Sequence, residues 1–241
     1  MEFAQHLDAL RRDADGLLAA APAADPQERI ESCPEWTPLD LVRHVSDVWH
    51  FFTSCVRDSW DDPSAYERPP RPDDDEVSSV AAANADELMT VLAAADPATP
   101  RWSWSGHGDV AWVARRMAQE TAVHRFDADR AAGRDHRIDA ELAADGIDEF
   151  LFDFLPVAAA RGLSSLDGSA HLHCTDVAGE WIVEPAADGG YEIRRAHEKG
   201  DVAVRGAASD LLLVIWRRLP LEAVDIVGDR HIAEQLTVRT V

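Results

Sequence analysis

The stretch Glu120–Asp129, "ETAVHRFDAD", sets a carboxylate, an imidazole and two further carboxylates into a run of helical character. Val113 and Met117 begin an apolar stripe just before it, and continuing that stripe at helical spacing reaches Glu120, His124 and Asp127. Glu120 and His124 stand at i and i+4, about 40° apart around the axis, so both side chains leave from the inward face. An ionised carboxylate buried there without a partner costs several kcal/mol. The position therefore demands a cation, a hydrogen-bond network or a metal ion, and a metal satisfies both residues together.

This helix is the fourth of four expected before residue 136. The first carries Phe3, Leu7, Leu10, Ala14, Leu17 and Leu18 at three-to-four spacing until "APAADP" stops it. "EWTPLD" announces the second: Thr37 caps, Pro38 fits the first helical position, and Asp40 follows three after the cap. Its apolar face is Leu41, Val45, Val48, Trp49 and Phe52. "DDPSAYERPPRPDDDE" cannot continue a helix and reads as a long solvated crossover. A third helix is expected over roughly 76–95, and the fourth over about 110–132, ending at "AAGRD" with Gly133 as its C′ residue. Four helices, two long connections and one shared core make a four-helix bundle the simplest architecture.

Beyond residue 138 the pattern changes. A helix, "IDAELAADGIDEFLFDFLPVAAA", leads into the short alternating segments "SAHLHCT", "GEWIVEP", "YEIRRA" and "DVAVRG", with a hairpin around "AADGG". A helix "SDLLLVIWRRL", a strand "VDIVG" and a last helix near "DRHIAEQL" follow. The fold class expected is α+β: a bundle over 1–135, then a small, mostly antiparallel sheet domain over 136–241.

Charge narrows the function. Lys and Arg number 23 against 45 Asp and Glu, a formal charge of −22 with pI ≈ 4.6. Such a chain repels polyphosphate, which sets nucleic-acid binding aside, and it favours a monomer or small homo-oligomer. Cys33, Cys55 and Cys174 form no paired framework and no CxxC, which suits a reducing cytoplasm. The acidic, amphipathic N-terminus reads as neither a signal peptide nor a membrane span.

A second imidazole is available on the second helix, where His44 lies between Leu41 and Val48 beside the apolar face. Two histidines and a glutamate from facing helices make a three-ligand site that suits zinc with an open position, while nickel, iron or manganese also fit. Asp127, one turn beyond His124, either orients that imidazole or pairs near Arg125. By spacing alone, most ExxxH pairs are surface residues or local ion-pair partners. Cys33 reads as a small packed hydrophobe, and His50 falls nearly opposite His44 on its helix. His171 and His173 share a strand face but have no third ligand in sight, so they read as surface histidines. Trp102, Trp104 and His107 in "WSWSGHG" either wall a pocket or form a packed loop.

"CPEWTPLDLVRHV" and "RRMAQETAVHRFDAD" resemble the second-helix and fourth-helix motifs of mycothiol-dependent maleylpyruvate isomerase-like proteins, within the wider DinB-like metal-binding bundles. "VAVRGAASDLLLVIWRRLPLEAVDIVGDR" is similar to the small, sterol-carrier-like α/β domain that accompanies that bundle. The resemblance implies metal ligands at His44, Glu120 and His124, the three that helical geometry selects. It implies mycothiol as a cofactor, its thiol of pKa near 8.5 deprotonated by the cation to a nucleophile. In the isomerase, that nucleophile adds to a conjugated double bond, permits rotation and leaves again; permanent transfer to an electrophile uses the same site. A carboxylate on the small electrophilic substrate would find a two-bonded partner in Arg205, or in Arg217 or Arg218, although most arginines of so acidic a chain pair with nearby carboxylates. The competing readings are a hydrolase that uses bound water, and a non-catalytic metal-binding or regulatory protein.

Overall fold

The computed structural model describes residues 1–60, 62–106, 108–187 and 189–237. Three of the four long helices of the first unit, the first, second and fourth, begin where the sequence offers partners for free N–H groups. Helix α1 (Phe3–Ala20) starts behind Glu2, whose side chain and that of Gln5 cap each other's backbone. In α2 (Pro38–Arg57) Thr37 Oγ1 accepts from the Asp40 N–H while Asp40 accepts from the Thr37 N–H at 3.1 Å. Helix α3 spans Val77–Ala94, and α4 (Val110–Ala131) begins at Asp109, which accepts from the Trp112 N–H at 2.7 Å. Gly133, with φ of +69°, closes the end of α4 as its position suggests.

These four helices close a ring of contacts, α1 on α4, α4 on α2, α2 on α3 and α3 on α1. Leu10, Leu17, Leu41, Trp49, Leu88, Leu92 and Met117 fill the space between them and are fully buried. A polar tie crosses that core: Trp49 Nε1 donates to Thr121 Oγ1 at 3.0 Å, fixing α2 against α4. A second joins α3 to α2, where Asn84 Nδ2 donates to Ser46 Oγ at 2.9 Å. The loop before α4 holds a ladder that the sequence reading lacks, β1 (Pro100–Arg101) antiparallel to β2 (Gly108–Asp109). A Cβ at Gly108 would lie 2.7 Å from the Arg101 carbonyl oxygen, so only glycine admits this approach.

The chain divides into two compact units, Met1–His136 and Arg137–Val241. In the second, the single helix expected after residue 138 is interrupted: α5 (Ala140–Glu149) passes through a π turn (Phe150–Phe154) into α6 (Leu155–Ala160). Pro156 has no N–H to continue the i−4 ladder, and the Leu155 N–H reaches back to the Phe150 carbonyl instead. A five-stranded sheet follows, with β3 (Ala170–Cys174), β4 (Glu180–Pro185), β5 (Tyr191–Arg194), β6 (Val202–Gly206) and β7 (Asp225–Gly228). Its order is β5-β4-β3-β6-β7, antiparallel except for the β3–β6 pair. Ala170, Leu172, Trp181, Val183, Val202 and Val204 occupy one buried face by alternation. The remaining helices, α7 (Ala208–Ile215) and α8 (Arg230–Gln235), pack on β6, and α5 packs on α7. The chain is a mixed α+β protein, helical first and sheet-rich second. Among the described residues, no helix is long and apolar enough to cross a membrane.

Helix α7 is shorter than "SDLLLVIWRRL" suggests. After Ile215 the Arg218 N–H bonds to the Leu213 carbonyl at 2.7 Å and Arg217 takes a left-handed φ of +61°, a helix stop that usually employs glycine. An L side chain in that conformation costs about 1 kcal/mol or more. Arg217→Gly should therefore raise the urea midpoint of the second unit, and a lowered midpoint would contradict this account of the turn. Trp49→Phe removes the donor to a fully buried Thr121 hydroxyl and should cost about 2 kcal/mol in denaturant unfolding. Adding Thr121→Val to that variant should restore part of the loss, since both polar partners are then gone.

Candidate metal centre

Helices α2 and α4 bring His44, Glu120 and His124 together, with ligand atoms all within 4.8 Å of one another. Glu120 divides its two oxygens. Oε1 lies 3.1 Å from His44 Nε2 and 3.3 Å from His124 Nε2, while Oε2 accepts from Arg116 Nη2 at 3.0 Å. Arg116 is buried one turn before Glu120, so its guanidinium holds the carboxylate with one oxygen turned to both imidazoles. Three donors around a zinc-sized cation at about 2.1 Å stand about 3.4 Å apart, close to the separations found here. The residues present thus fit a divalent cation in donor type and spacing.

The second nitrogen of His124 is occupied as well. Nδ1 lies 2.9 Å from Asp127 Oδ2, and Asp127 Oδ1 accepts from Ser32 Oγ at 2.8 Å. Of the two placements open to Asp127, the structure shows the contact with His124, while Arg125 turns to Asp13 at 2.8 Å and Asp129 at 3.3 Å. A proton held on Nδ1 by a carboxylate leaves Nε2 as the nitrogen that faces Glu120, where it carries a second proton or gives that proton up and offers its lone pair to a cation. Ser32 gets there by a compact turn, in which the Ile30 N–H bonds to the Trp36 carbonyl at 3.0 Å and the Cys33 N–H to the Ile30 carbonyl at 2.9 Å. The same turn lays Trp36 against His44, ring centroids 4.6 Å apart.

Electrostatics follow from this crowding. Burial alone pushes the His124 imidazole down, but the adjacent Glu120 carboxylate and the bond to Asp127 override it and raise the pKa to about 9. Glu120 shows the converse: burial would raise it, yet His124, His44 and Arg116 hold it well below the usual carboxylate range. A positive charge belongs in this cluster, as a proton or as a cation.

His44 also lines an open cleft of about 640 Å³ with Trp36, Arg43, Phe51, Tyr66 and Arg71. Arg68 and Arg71 come from "ERPPRPDDDE", which therefore does more than cross solvent: Arg71 approaches Asp40 at 3.4 Å and Arg68 borders the cleft. The Thr37 hydroxyl, against burial, holds the Asp40 carboxyl below its ordinary value.

The other residues singled out in the sequence fall elsewhere. Arg205 is exposed on β6, in register with His173 on β3 and Asp225 on β7, and Arg217 is exposed in the turn after α7. His50 pairs with the Tyr66 hydroxyl at 2.9 Å, away from the ligand cluster. Trp102 and Trp104 stack edge-on with Phe51 and Trp112, the packed-loop alternative, and His107 lies outside the described residues. Cys33 is half-buried beside Ser32. His171 is not the surface residue expected; it is buried, and Glu180 and His197 join it and His173. Arg116, Ser32 and Trp36 were missed. Arg116 had a signal, four residues before Glu120 on one face, whereas Ser32 meets Asp127 from 95 residues away.

Two family descriptions match the chain. "Mycothiol maleylpyruvate isomerase N-terminal domain" covers residues 7–129, and "MDMPI C-terminal domain" covers residues 141–235. No curated protein matches significantly. Among solved structures, the mycothiol-dependent maleylpyruvate isomerase aligns with a TM-score of 0.63 at 12% identity, over 95% of either chain. A histidine-to-alanine mutant of that enzyme aligns equally, at 11% identity over 95% of either chain. At such identity the likeness establishes the fold, and the domain matches establish the lineage: the chain belongs to the mycothiol maleylpyruvate isomerase family.

Proposed function

We propose that this protein is a mycothiol-dependent metalloenzyme in which His44, Glu120 and His124 hold a divalent cation, zinc before nickel, iron or manganese. The reaction class is isomerisation of a small electrophile, or transfer of the thiol to it. The observation that carries this reading is the single oxygen, Glu120 Oε1, set between the Nε2 atoms of two histidines from different helices. A cation held there with a position left open would supply the charge that lowers the pKa of a thiol, ordinarily near 8.5, and so would favour its nucleophilic form at neutral pH.

The chain's own residues do the arranging. Asp127 and Ser32 fix the His124 tautomer, Arg116 fixes the Glu120 rotamer, and Trp36 backs the His44 ring. The cleft beside His44 mixes the rings of Trp36, Phe51 and Tyr66 with charged groups, a lining suited to a polar small molecule that carries the thiol. In the second unit Arg205 and Arg217 are exposed, and a guanidinium group can bind a carboxylate through two hydrogen bonds. Three free cysteines accord with a reducing, cytoplasmic setting.

Titrating mycothiol into the cobalt(II)-loaded protein tests the reading. A near-ultraviolet sulfur-to-cobalt charge-transfer band should grow to saturation at one thiol per chain, and His124→Ala should abolish it with the fold kept. Cobalt binding without a thiol band would put the water-dependent hydrolase or a non-catalytic metal protein in its place. Asp127→Asn leaves the three ligands intact but frees the His124 ring, and should weaken metal affinity at this site about 10–100-fold. Unchanged affinity would remove Asp127 from the design of the site.

A further inference from the structure

The sheet of the second unit gathers a separate donor set. His171 and His173 alternate on β3 and leave from one face, and Glu180 is the register partner of His173 on β4. His197 arrives from the connection between β5 and β6. Strands β3, β5 and β6 run in the same direction, and β4 and β3 lie between β5 and β6. Residues 195–201 must therefore travel back along the sheet over those two strands, across the face that carries His171, His173 and Glu180. Gly200 marks how closely this strap lies: a Cβ there would stand 3.0 Å from the His171 backbone nitrogen. Asp201 fastens its far end, accepting from the Ser169 N–H and hydroxyl at 2.8 Å each.

Under the strap, His173 Nδ1 lies 2.7 Å from Glu180 Oε1, and His197 Nδ1 lies 2.5 Å from Glu180 Oε2. The third imidazole is left over. His171 is only 7% exposed, and its Nε2, 3.5 Å from Glu180 Oε2, has no hydrogen-bond partner. A buried ring nitrogen without a partner costs about 1–3 kcal/mol. Glu180 stands close to His173 and His197 but leaves His171 Nε2 at 3.5 Å, whereas a cation accepts a lone pair from each imidazole. All four ligand atoms lie within 4.8 Å of one another.

We propose that His171, His173, Glu180 and His197 form a second metal site, which takes a zinc-class divalent cation and pins the 195–201 strap to the sheet. Four protein donors complete a tetrahedral ion and leave no position for substrate, so the site is structural. It shares no residue with the cluster on α2 and α4, and it stands or falls independently of that reading.

The full chain is stripped with chelator, incubated with zinc(II), passed through gel filtration and analysed for zinc per chain. Wild type should retain two. His44→Ala/His124→Ala should retain one, and His173→Ala/His197→Ala, which spares the buried His171, should lose one. Combining all four changes should leave none. If His44→Ala/His124→Ala retains none, or if His173→Ala/His197→Ala retains as much as wild type, the second site is overturned. Should zinc vanish entirely with His173→Ala/His197→Ala yet be unaffected by His44→Ala/His124→Ala, the second site stands and the first fails. Circular dichroism of each variant separates loss of ligand from loss of fold.

Discussion

A carboxylate on the inward face of α4 is the constraint around which the first unit is arranged. Glu120 has no water to rely on for most of its surface, so every direction in which it points requires a donor or a cation. One oxygen is committed to buried Arg116 on its own helix, and the other faces histidines on two helices. The same helix extends the pattern: Arg125 reaches Asp13 on α1, and Asp127 receives Ser32 from the turn before α2. Helix α4 is thus tied by polar contacts to α1, to α2 and to the turn between them. Rotating it by one residue, about 100°, would strand several charges at once, each at about 3–5 kcal/mol for a broken buried pair. The apolar stripe through Val113 and Met117 and these charges select the same rotation.

How far the sequence disclosed this depends on whether a feature is periodic. Thr37, Pro38 and Asp40 announce α2 because capping chemistry is local, and the structure uses both halves of that box. The long helices are legible through their stripes for the same reason. The β1–β2 ladder is not, since two residues per strand carry no alternation to read, and its one requirement is the space at Gly108. Helix α7 was overextended because "WRRL" continues the helical pattern well, while the stop rests on Arg217 accepting a conformation its side chain disfavours. The π turn is a quieter case: Pro156 was visible, but a proline near a helix end reads as a tolerated kink and not as a change of register.

The site divides along the same line. His44, Glu120 and His124 were legible because helical spacing fixes both the face and the distance along the axis. Ser32 and Trp36 depend on the Ile30–Trp36 turn, where backbone bonds between neighbouring residues set directions that no period encodes. Arg68 and Arg71 border the cleft from a proline-rich stretch whose composition signals only that it is not regular structure. Composition says that such a chain lacks helix. It does not say what it runs beside.

The cluster on the sheet is the sharper lesson in topology. His171 and His173 declare a shared face, but Glu180 follows from the β3–β4 register and His197 from the strand order β5-β4-β3-β6. A strap between parallel strands with two others between them has to cross a face, and that crossing is what buries His171 and delivers a fourth donor. The two donor sets then differ in what they leave over. Two histidines and one glutamate leave a tetrahedral ion one open position, whereas three histidines and a glutamate leave none. Under the proposed readings, chemistry on a small molecule would belong with the cluster between α2 and α4, and the second cluster, completed by its own chain, would fasten the strap that completes it.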